Sequence, residues 1–170
     1  MFCRCAYQDS GPCYLRLSRD VYPDLYASDT QFRVGGGNVV REGADATVFA
    51  CGILVHKALE AAEILAQEGI QIQVVDLYSI KPIDEELIRR CAVKTGAVVT
   101  AEEHGITGGL GSAVAEVLAR EGAAVPVEMV GVKDTFTESG PYAKLLEKYK
   151  LDAKAVADAV RTVRSRRYKA

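Results

Sequence analysis

Short apolar runs alternate with amphipathic stretches along most of this chain. Residues 46–51 are almost wholly apolar, and 70–76, 97–101 and 125–130 are three further runs rich in β-branched residues. Runs of this length and composition are typical of strands that are covered on both faces of a parallel sheet. The pattern therefore predicts four strands in this part of the chain.

The stretches between these runs have the periodicity of helices. Leu54, Ala58, Ala61 and Leu65 recur on one helical face, and Gly69 follows as a natural stop. Further helices are predicted after a capping Asp84, over 108–121, after an entry through 139–141, and from near Asp152. Alternating strands and helices with short connections indicate a three-layer α/β fold. We expect a mostly parallel sheet of four or five strands with helices on both faces.

The N-terminal part of the chain does not follow this alternation. Residues 13–17 have the composition of a strand, but nothing after them offers an obvious partner, and 19–29 resembles an irregular linker. Residues 32–40 carry three glycines between apolar ends, which predicts a hairpin or a loop that leads into the sheet. We therefore divide the chain into 1–30, a remnant of a preceding domain with its linker, and 31–170, the α/β domain.

Composition and charge narrow the classes of function. The net charge of −2 gives no electrostatic case for binding nucleic acid or an anionic membrane. The five cysteines include no CxxC pair, so neither a disulfide framework nor a zinc site is indicated. No run approaches the ~20 apolar residues of a membrane span. We expect a cytoplasmic protein that binds no metal of its own.

The most conspicuous candidate for chemistry is the segment EEHGITGGLGS at 102–112. It follows the third predicted strand and opens a helix, which is where doubly wound sheets bind ligands and where free backbone N–H groups can hold an anion. The candidates for a possible anion or regulatory site are His104, Gly108, Gly109, Gly111 and Ser112. The bare pattern favours tight packing of strand against helix over ligand binding, and both interpretations stay open.

Known nucleotide-binding and nucleophile motifs are not matched by this segment. Val114 occupies the place of the third small residue of GxGxxG, and no Gly-Lys-Ser/Thr follows as in a P-loop. His104 could serve as a general base or as a donor to phosphate, tuned by Glu102 and Glu103. An exposed histidine beside solvated carboxylates is the commoner case. No nucleophile elbow surrounds Ser112, and no catalytic residue is assigned to this chain.

An ordered series of sequence blocks resembles the C-terminal section of transketolases. The blocks are GPCYLRLSRD at 11–20, 42–47, 74–77, 79–84, EEH at 102–104, GGLGSAV at 108–114 and DTFTESG at 134–140. In this order they are also similar to deoxyxylulose-phosphate synthase and to the β subunits of 2-oxo-acid dehydrogenases. The resemblance covers nearly the whole chain, from about residue 11 to residue 163.

This resemblance implies an enzyme that moves a two-carbon ketol unit between sugar phosphates with thiamine diphosphate and Mg²⁺. In the family the arginine of the LSR segment binds the substrate phosphate, and that residue here is Arg19. The family binds its cofactor between two other domains, which this chain mostly lacks, and residues 1–30 would be a remnant of the pyrimidine-binding domain. We therefore expect neither cofactor binding nor catalysis by the isolated chain.

The resemblance also implies partners. We expect an N-terminal transketolase section or subunit, a homodimer, and self-association through apolar surface that a missing domain would cover. Two alternatives are kept. One is a non-catalytic dimerisation or regulatory anion-binding module, and the other is the same domain from deoxyxylulose-phosphate synthase or an oxo-acid dehydrogenase β subunit. Arg19 favours members of the superfamily whose substrates carry phosphate.

Overall fold

The structure is a computed structural model that describes residue 7 and residues 11–18 and 21–167. Five strands form one sheet in the order β1-β3-β2-β4-β5. They are β1 Asn38–Arg41, β2 Ala46–Ala50, β3 Ile72–Asp76, β4 Val98–Gly105 and β5 Val127–Val132. The predicted mostly parallel α/β sheet is confirmed. The edge strand β1 alone among the five pairs antiparallel, with β3 as its neighbour.

Helices cover both faces of this sheet. They are α1 Ile53–Ala66, α2 Glu85–Thr95, α3 Leu110–Arg120, α4 Tyr142–Lys148 and α5 Ala153–Ser165. Side chains alternate across the strands, so Val48 and Val74 pack with α1 and α5, whereas Phe49 and Val75 pack with α2 and α3. None of the helices in the described ranges has the length and apolar character needed to cross a membrane.

Two of the helices begin at aspartate caps. The Asp84 carboxylate accepts a hydrogen bond from the Leu87 amide at 3.1 Å, which confirms the cap predicted for α2. Asp152 accepts from the Ala155 amide at 2.8 Å at the start of α5. Such caps satisfy amides that have no partner within the helix, so they fix where each helix starts.

The N-terminal segment departs from its sequence-based expectation. The prediction of a strand over 13–17 is wrong, because residues 11–18 have no regular secondary structure and all are exposed. None of the five strands extends its ladder to this segment, and a strand without a neighbour is not stable in water. Residues 32–37 form the loop that leads into β1, as one of the two predictions for that region stated.

Candidate functional site at the carboxyl edge of the sheet

Two adjacent glutamates near the end of β4 lie at the centre of the candidate site. Successive side chains on a strand point to opposite faces of a sheet. Glu102 is 2% exposed, and the side chain of Glu103 is 16% exposed. The two carboxylates therefore have different neighbours, although they are adjacent in the sequence.

The Glu102 carboxylate is the N-terminal cap of α3. Its Oε2 accepts a hydrogen bond from the Leu110 amide at 2.7 Å, and its Oε1 accepts from the Gly111 amide at 2.8 Å. The partial positive charge at a helix N-terminus favours an anion there. The chain supplies that anion itself. The Gly108 amide is also engaged, because it donates to Ser112 Oγ at 2.8 Å.

The glycines of this loop are explained by close packing. A Cβ atom at Gly109 would overlap with the Glu102 carboxylate, and one at Gly111 would lie 2.8 Å from Met129 Sδ. Gly108 has a φ of 77°, which side chains rarely adopt. These contacts support the packing interpretation. An anion site on Gly108, Gly109, Gly111 and Ser112 stays a prediction, and any bound anion would face the charge of Glu102.

His104 borders a shallow cleft next to this cap. Its Nδ1 is 3.9 Å from Glu102 Oε2, and its side chain is 38% exposed. Partial burial and the nearby Arg16 guanidinium lower the pKa of His104 below its usual value, which favours the neutral imidazole. The cleft has a volume of about 400 Å³ and extends from His104 to the exposed Phe136. The structure thus places His104 beside the glycine loop, with Glu102 between them.

The Glu103 carboxylate holds two side chains from distant parts of the chain. Its Oε1 accepts from Arg16 Nη2 at 2.9 Å, and its Oε2 accepts from the Tyr142 hydroxyl at 2.5 Å. Burial raises the pKa of Tyr142, and the bond to Glu103 raises it further. Arg16 belongs to the exposed N-terminal segment, whereas Tyr142 opens α4. Glu103 therefore joins the described N-terminal segment to the domain.

Two tyrosines of the linker after this segment contact the domain through their side chains. The Tyr22 ring stacks on His56 of α1 with centroids 5.9 Å apart. The Tyr26 hydroxyl donates to Asp76 Oδ2 at 2.7 Å, at the end of β3. Burial raises the pKa of Asp76 to about 6, although the hydrogen bond from Tyr26 lowers it. The linker therefore lies on the carboxyl edge of the sheet.

Only part of this arrangement was predictable from the sequence. Arg19, the predicted phosphate ligand, lies outside the described residues, and its role stays a prediction. Glu103 was considered only as a group that tunes His104, and Tyr142 and Tyr26 were not singled out. The available signal was a linker with tyrosines at positions 22 and 26, a composition unusual for a solvated connection.

The described residues do not fit a site for thiamine diphosphate and Mg²⁺. Within residues 7, 11–18 and 21–167, no group of three His, Cys, Asp or Glu side chains is placed to hold a metal ion. The N-terminus of α3, a position at which helices can bind anions, already binds the Glu102 carboxylate. No chemical step is therefore assigned to the cofactor on this chain.

The chain is similar to a known protein family and to several of its named members. A model of the transketolase C-terminal domain family matches residues 35–156. The chain is 45% identical over 157 residues to the 6-deoxy-6-sulfo-D-fructose transketolase subunit of Clostridium sp. (strain MSTE9). The aligned region is 92% of this chain and 48% of that protein. The chain is also 42% identical over 156 residues to the 1-deoxy-D-xylulose-5-phosphate synthase of Syntrophotalea carbinolica. Here the aligned region is 91% of this chain and 25% of that protein.

A solved structure has the same fold. It is a split gene transketolase described as an inactive beta4 tetramer, and it matches with a TM-score of 0.94 and 50% sequence identity. The match covers 98% of this chain and 55% of that chain. The chain thus spans about half the length of the transketolase subunits that it matches, and about a quarter of the synthase.

Proposed function

The chain belongs to the transketolase C-terminal domain family, and from this premise we propose that it is the C-terminal part of a split transketolase. The complete enzyme transfers a two-carbon ketol unit between sugar phosphates. The relatives named as transketolase subunits support this proposal, since they match over nearly the whole chain. A cytoplasmic location is part of the same proposal and can be checked by cell fractionation.

One structural observation carries the proposal. The N-terminal segment and linker expose large apolar side chains, although the domain itself buries its apolar residues in two core clusters. Tyr14 is 91% exposed, Leu17 is 72% exposed and Val21 is 97% exposed. Apolar side chains that follow one another on an exposed segment are typical of a surface that packs against another part of a protein. The relatives have that additional part, because the chain covers only about half of their length.

The proposal includes a division of roles between this domain and the rest of the enzyme. Thiamine diphosphate supplies the electron sink for ketol transfer in such enzymes, and we place it with Mg²⁺ in the part of the relatives' length that this chain does not cover. Arg19 binds the substrate phosphate through charge-assisted hydrogen bonds. The described domain contributes a rigid sheet edge against which the phosphate-binding segment lies, through Glu103 and Asp76.

The isolated chain is expected to be inactive and to self-associate. The structural neighbour is itself described as an inactive beta4 tetramer, which supports both parts of this expectation. The homodimer expected from the sequence would be the smallest such assembly. Sedimentation of the purified chain at several concentrations measures this directly, and a monomer at high concentration would contradict it.

The test of the proposed function is reconstitution. The purified chain, the N-terminal transketolase section and an equimolar mixture are each assayed with a ketose phosphate donor, an aldose phosphate acceptor, thiamine diphosphate and Mg²⁺. We expect turnover only in the mixture. An Arg19→Gln variant should raise KM for the phosphorylated donor, and Arg120→Gln on the far surface serves as its charge-matched control. Turnover by the chain alone, or none in the mixture, would refute the proposal.

A second candidate within the family is deoxyxylulose-phosphate synthesis. The 42% identity to such a synthase over 156 residues favours it, and a phosphate-binding Arg19 suits its phosphorylated product equally well. The same reconstituted pair of proteins distinguishes the two activities when a 2-oxo acid, which would lose CO2 as it supplies a two-carbon unit with a methyl end, is offered to the aldose phosphate in a parallel assay without the ketose phosphate. Formation of deoxyxylulose phosphate, identified by mass spectrometry, with no ketol transfer would replace the first function with the second.

A further inference from the structure

We propose that the carboxyl edge of the sheet binds a second copy of the chain, and that Phe136 of each copy enters the cleft beside His104 of the other. The inference identifies the surface through which the isolated chain self-associates, so it rests on that part of the proposed function. The residues that carry it belong to the domain and not to the N-terminal segment.

Phe136 is the most exposed of the large apolar side chains in the described part of the domain. It is 102% exposed, whereas Val93 is 62% exposed and Val34, Ile64 and Ile80 are 38–44% exposed. Single exposed aliphatic side chains are ordinary on protein surfaces. An aromatic side chain has about 150–250 Å² to bury, and a single copy of the chain leaves the ring of Phe136 in water.

The cleft beside Phe136 opens on the same surface. It has a volume of about 400 Å³ and is lined by Glu103 and His104 at the end of β4, by Val132 at the end of β5, and by residues 134–137. Clefts of this size accommodate drug-sized ligands, and a phenyl ring is smaller than such a ligand. The cleft therefore has room for the side chain of a phenylalanine.

The walls of the cleft favour a neutral ring over an anion. Glu103 and Asp134 bring two carboxylates to it, and Arg16 pairs with the first of them. Partial burial lowers the pKa of His104, which favours the neutral imidazole. An anion would meet like charge here, whereas a phenyl ring can pack against the imidazole and against the apolar Val132.

A projecting ring and a cleft on one surface are self-complementary. In a pair of copies related by a two-fold axis, each contact of one copy with the other occurs twice. Two Phe136 rings then enter two clefts at once, and the pair is closed at this surface. The loop after β5 carries Lys133 and Asp134, which have opposite charges, and the net charge of the chain is only −2. Two copies therefore meet without a large surplus of like charge.

The first measurement is sedimentation of the isolated chain over a range of concentrations. Phe136→Ser removes both ring contacts of a two-fold pair, so we expect the dissociation constant of the pair to rise at least about 100-fold. The fully exposed ring contributes little to the fold of one copy, so the variant should unfold at the same temperature as the wild type. Val93→Ser, which removes an exposed aliphatic side chain from α2, is the control and should leave the dissociation constant unchanged.

The second measurement tests whether the ring and the cleft meet. Thr135→Arg places a charged side chain at the cleft and should weaken self-association as Phe136→Ser does. Thr162→Arg on α5 is its charge-matched control. In a mixture of the first two variants, one chain keeps its cleft and the other keeps its ring, so one of the two contacts forms. The mixed pair should therefore be at least about 10-fold tighter than either variant with itself.

Each contrary result has a distinct meaning. Equal dissociation constants for the wild type and Phe136→Ser would overturn the inference, while self-association would then use another surface. A mixed pair no tighter than the single variants would overturn the reciprocal contact. Normal self-association of Phe136→Ser together with weaker binding to the N-terminal section would assign this surface to that partner instead. A wild type that stays monomeric at high concentration would refute the inference and the proposed self-association, and the transferase assay would still decide the proposed activity.

Discussion

Glu102 and Glu103 are neighbours in the sequence, but the structure gives them opposite surroundings. The Glu102 carboxylate is buried, and both of its oxygens accept hydrogen bonds from backbone amides of α3. The Glu103 carboxylate faces the other side of the sheet and accepts from two side chains, one of which belongs to the exposed N-terminal segment. Glu102 joins β4 to the start of α3 within the domain, and Glu103 joins the domain to the N-terminal segment.

The difference shows how burial decides the role of a charge. A buried carboxylate must have its hydrogen bonds, so its loss affects the whole fold. A half-exposed ion pair contributes little to stability and is weakened by salt. The Glu103 pair is therefore suited to placing a segment, and the Glu102 cap is suited to stabilising a helix.

The largest expected effect is that of removing the Glu102 cap. Glu102→Ala leaves two buried amides without an acceptor, and we expect it to lower the free energy of unfolding by about 3–5 kcal/mol. Urea unfolding measured by circular dichroism gives this value. Glu116→Ala on the exposed face of α3 is the control, and equal midpoints for the two variants would contradict the cap.

A third carboxylate at the same edge sharpens the comparison. Asp76 is 6% exposed and has one phenolic donor, Tyr26, instead of two amides. Burial raises the pKa of Asp76 to about 6 from its ordinary value of 3.8. The folded protein therefore holds this proton more tightly than the unfolded chain does. Stability from this group is complete below pH 4 and is lost as the pH rises through about 6.

The corresponding variant is Asp76→Asn. It keeps an acceptor for Tyr26 and removes the buried charge. Above pH 6 its free energy of unfolding should therefore exceed that of the wild type by up to about 3 kcal/mol. The gain should vanish near pH 4. The free energy of unfolding of both proteins is measured by denaturation at several pH values. The difference between the two proteins at each pH removes the contribution of groups that titrate alike in both. A gain that stays constant with pH would show that the charge is not the cause.

The glycine beside the Glu102 cap gives a smaller effect. Gly109→Ala places a methyl group against the Glu102 carboxylate, and we expect a loss of about 2 kcal/mol from overpacking. Gly105→Ala is the matched control, since its nearest neighbour, Thr107 O, would be 4.0 Å away. The double variant with Glu102→Ala should lose less than the sum of the single losses, because the clash then disappears. Strict additivity would argue against this contact.

The smallest expected effect concerns the Glu103 side of the strand. Tyr142→Phe removes one hydrogen bond and leaves the ion pair with Arg16 in place, so it should cost about 1 kcal/mol. Tyr149→Phe, just after the end of the same helix, controls for the change of residue type. A cost as large as that of Glu102→Ala would remove the distinction between the two glutamates.

The sequence predicted the elements of the fold well, because their signals are local. Apolar runs mark β2 and β3, and Asp84 marks the start of α2 through a contact only three residues away. The antiparallel β1 was not predicted as a strand. Its four residues are all partly exposed, and they lack the continuous apolar run of a covered strand.

The site was less predictable, because its contacts are long-range. The pairs of Arg16 with Glu103 and of Tyr26 with Asp76 span 87 and 50 residues, and no spacing rule reports such contacts. The Glu102 cap had a usable signal, since a strand places Glu102 and Glu103 on opposite faces and nearby glycines indicate close packing. The error over 13–17 arose because strand composition says nothing about whether a neighbouring strand exists.

The most direct test of the division between this domain and the cofactor site is a calorimetric titration with thiamine diphosphate and Mg²⁺. It is run first on the isolated chain and then on the chain mixed with its N-terminal section. We expect no saturable heat from the chain alone and stoichiometric binding by the mixture. Saturable, stoichiometric binding by the isolated chain would mean that this domain carries a cofactor site of its own, which contradicts the proposed division.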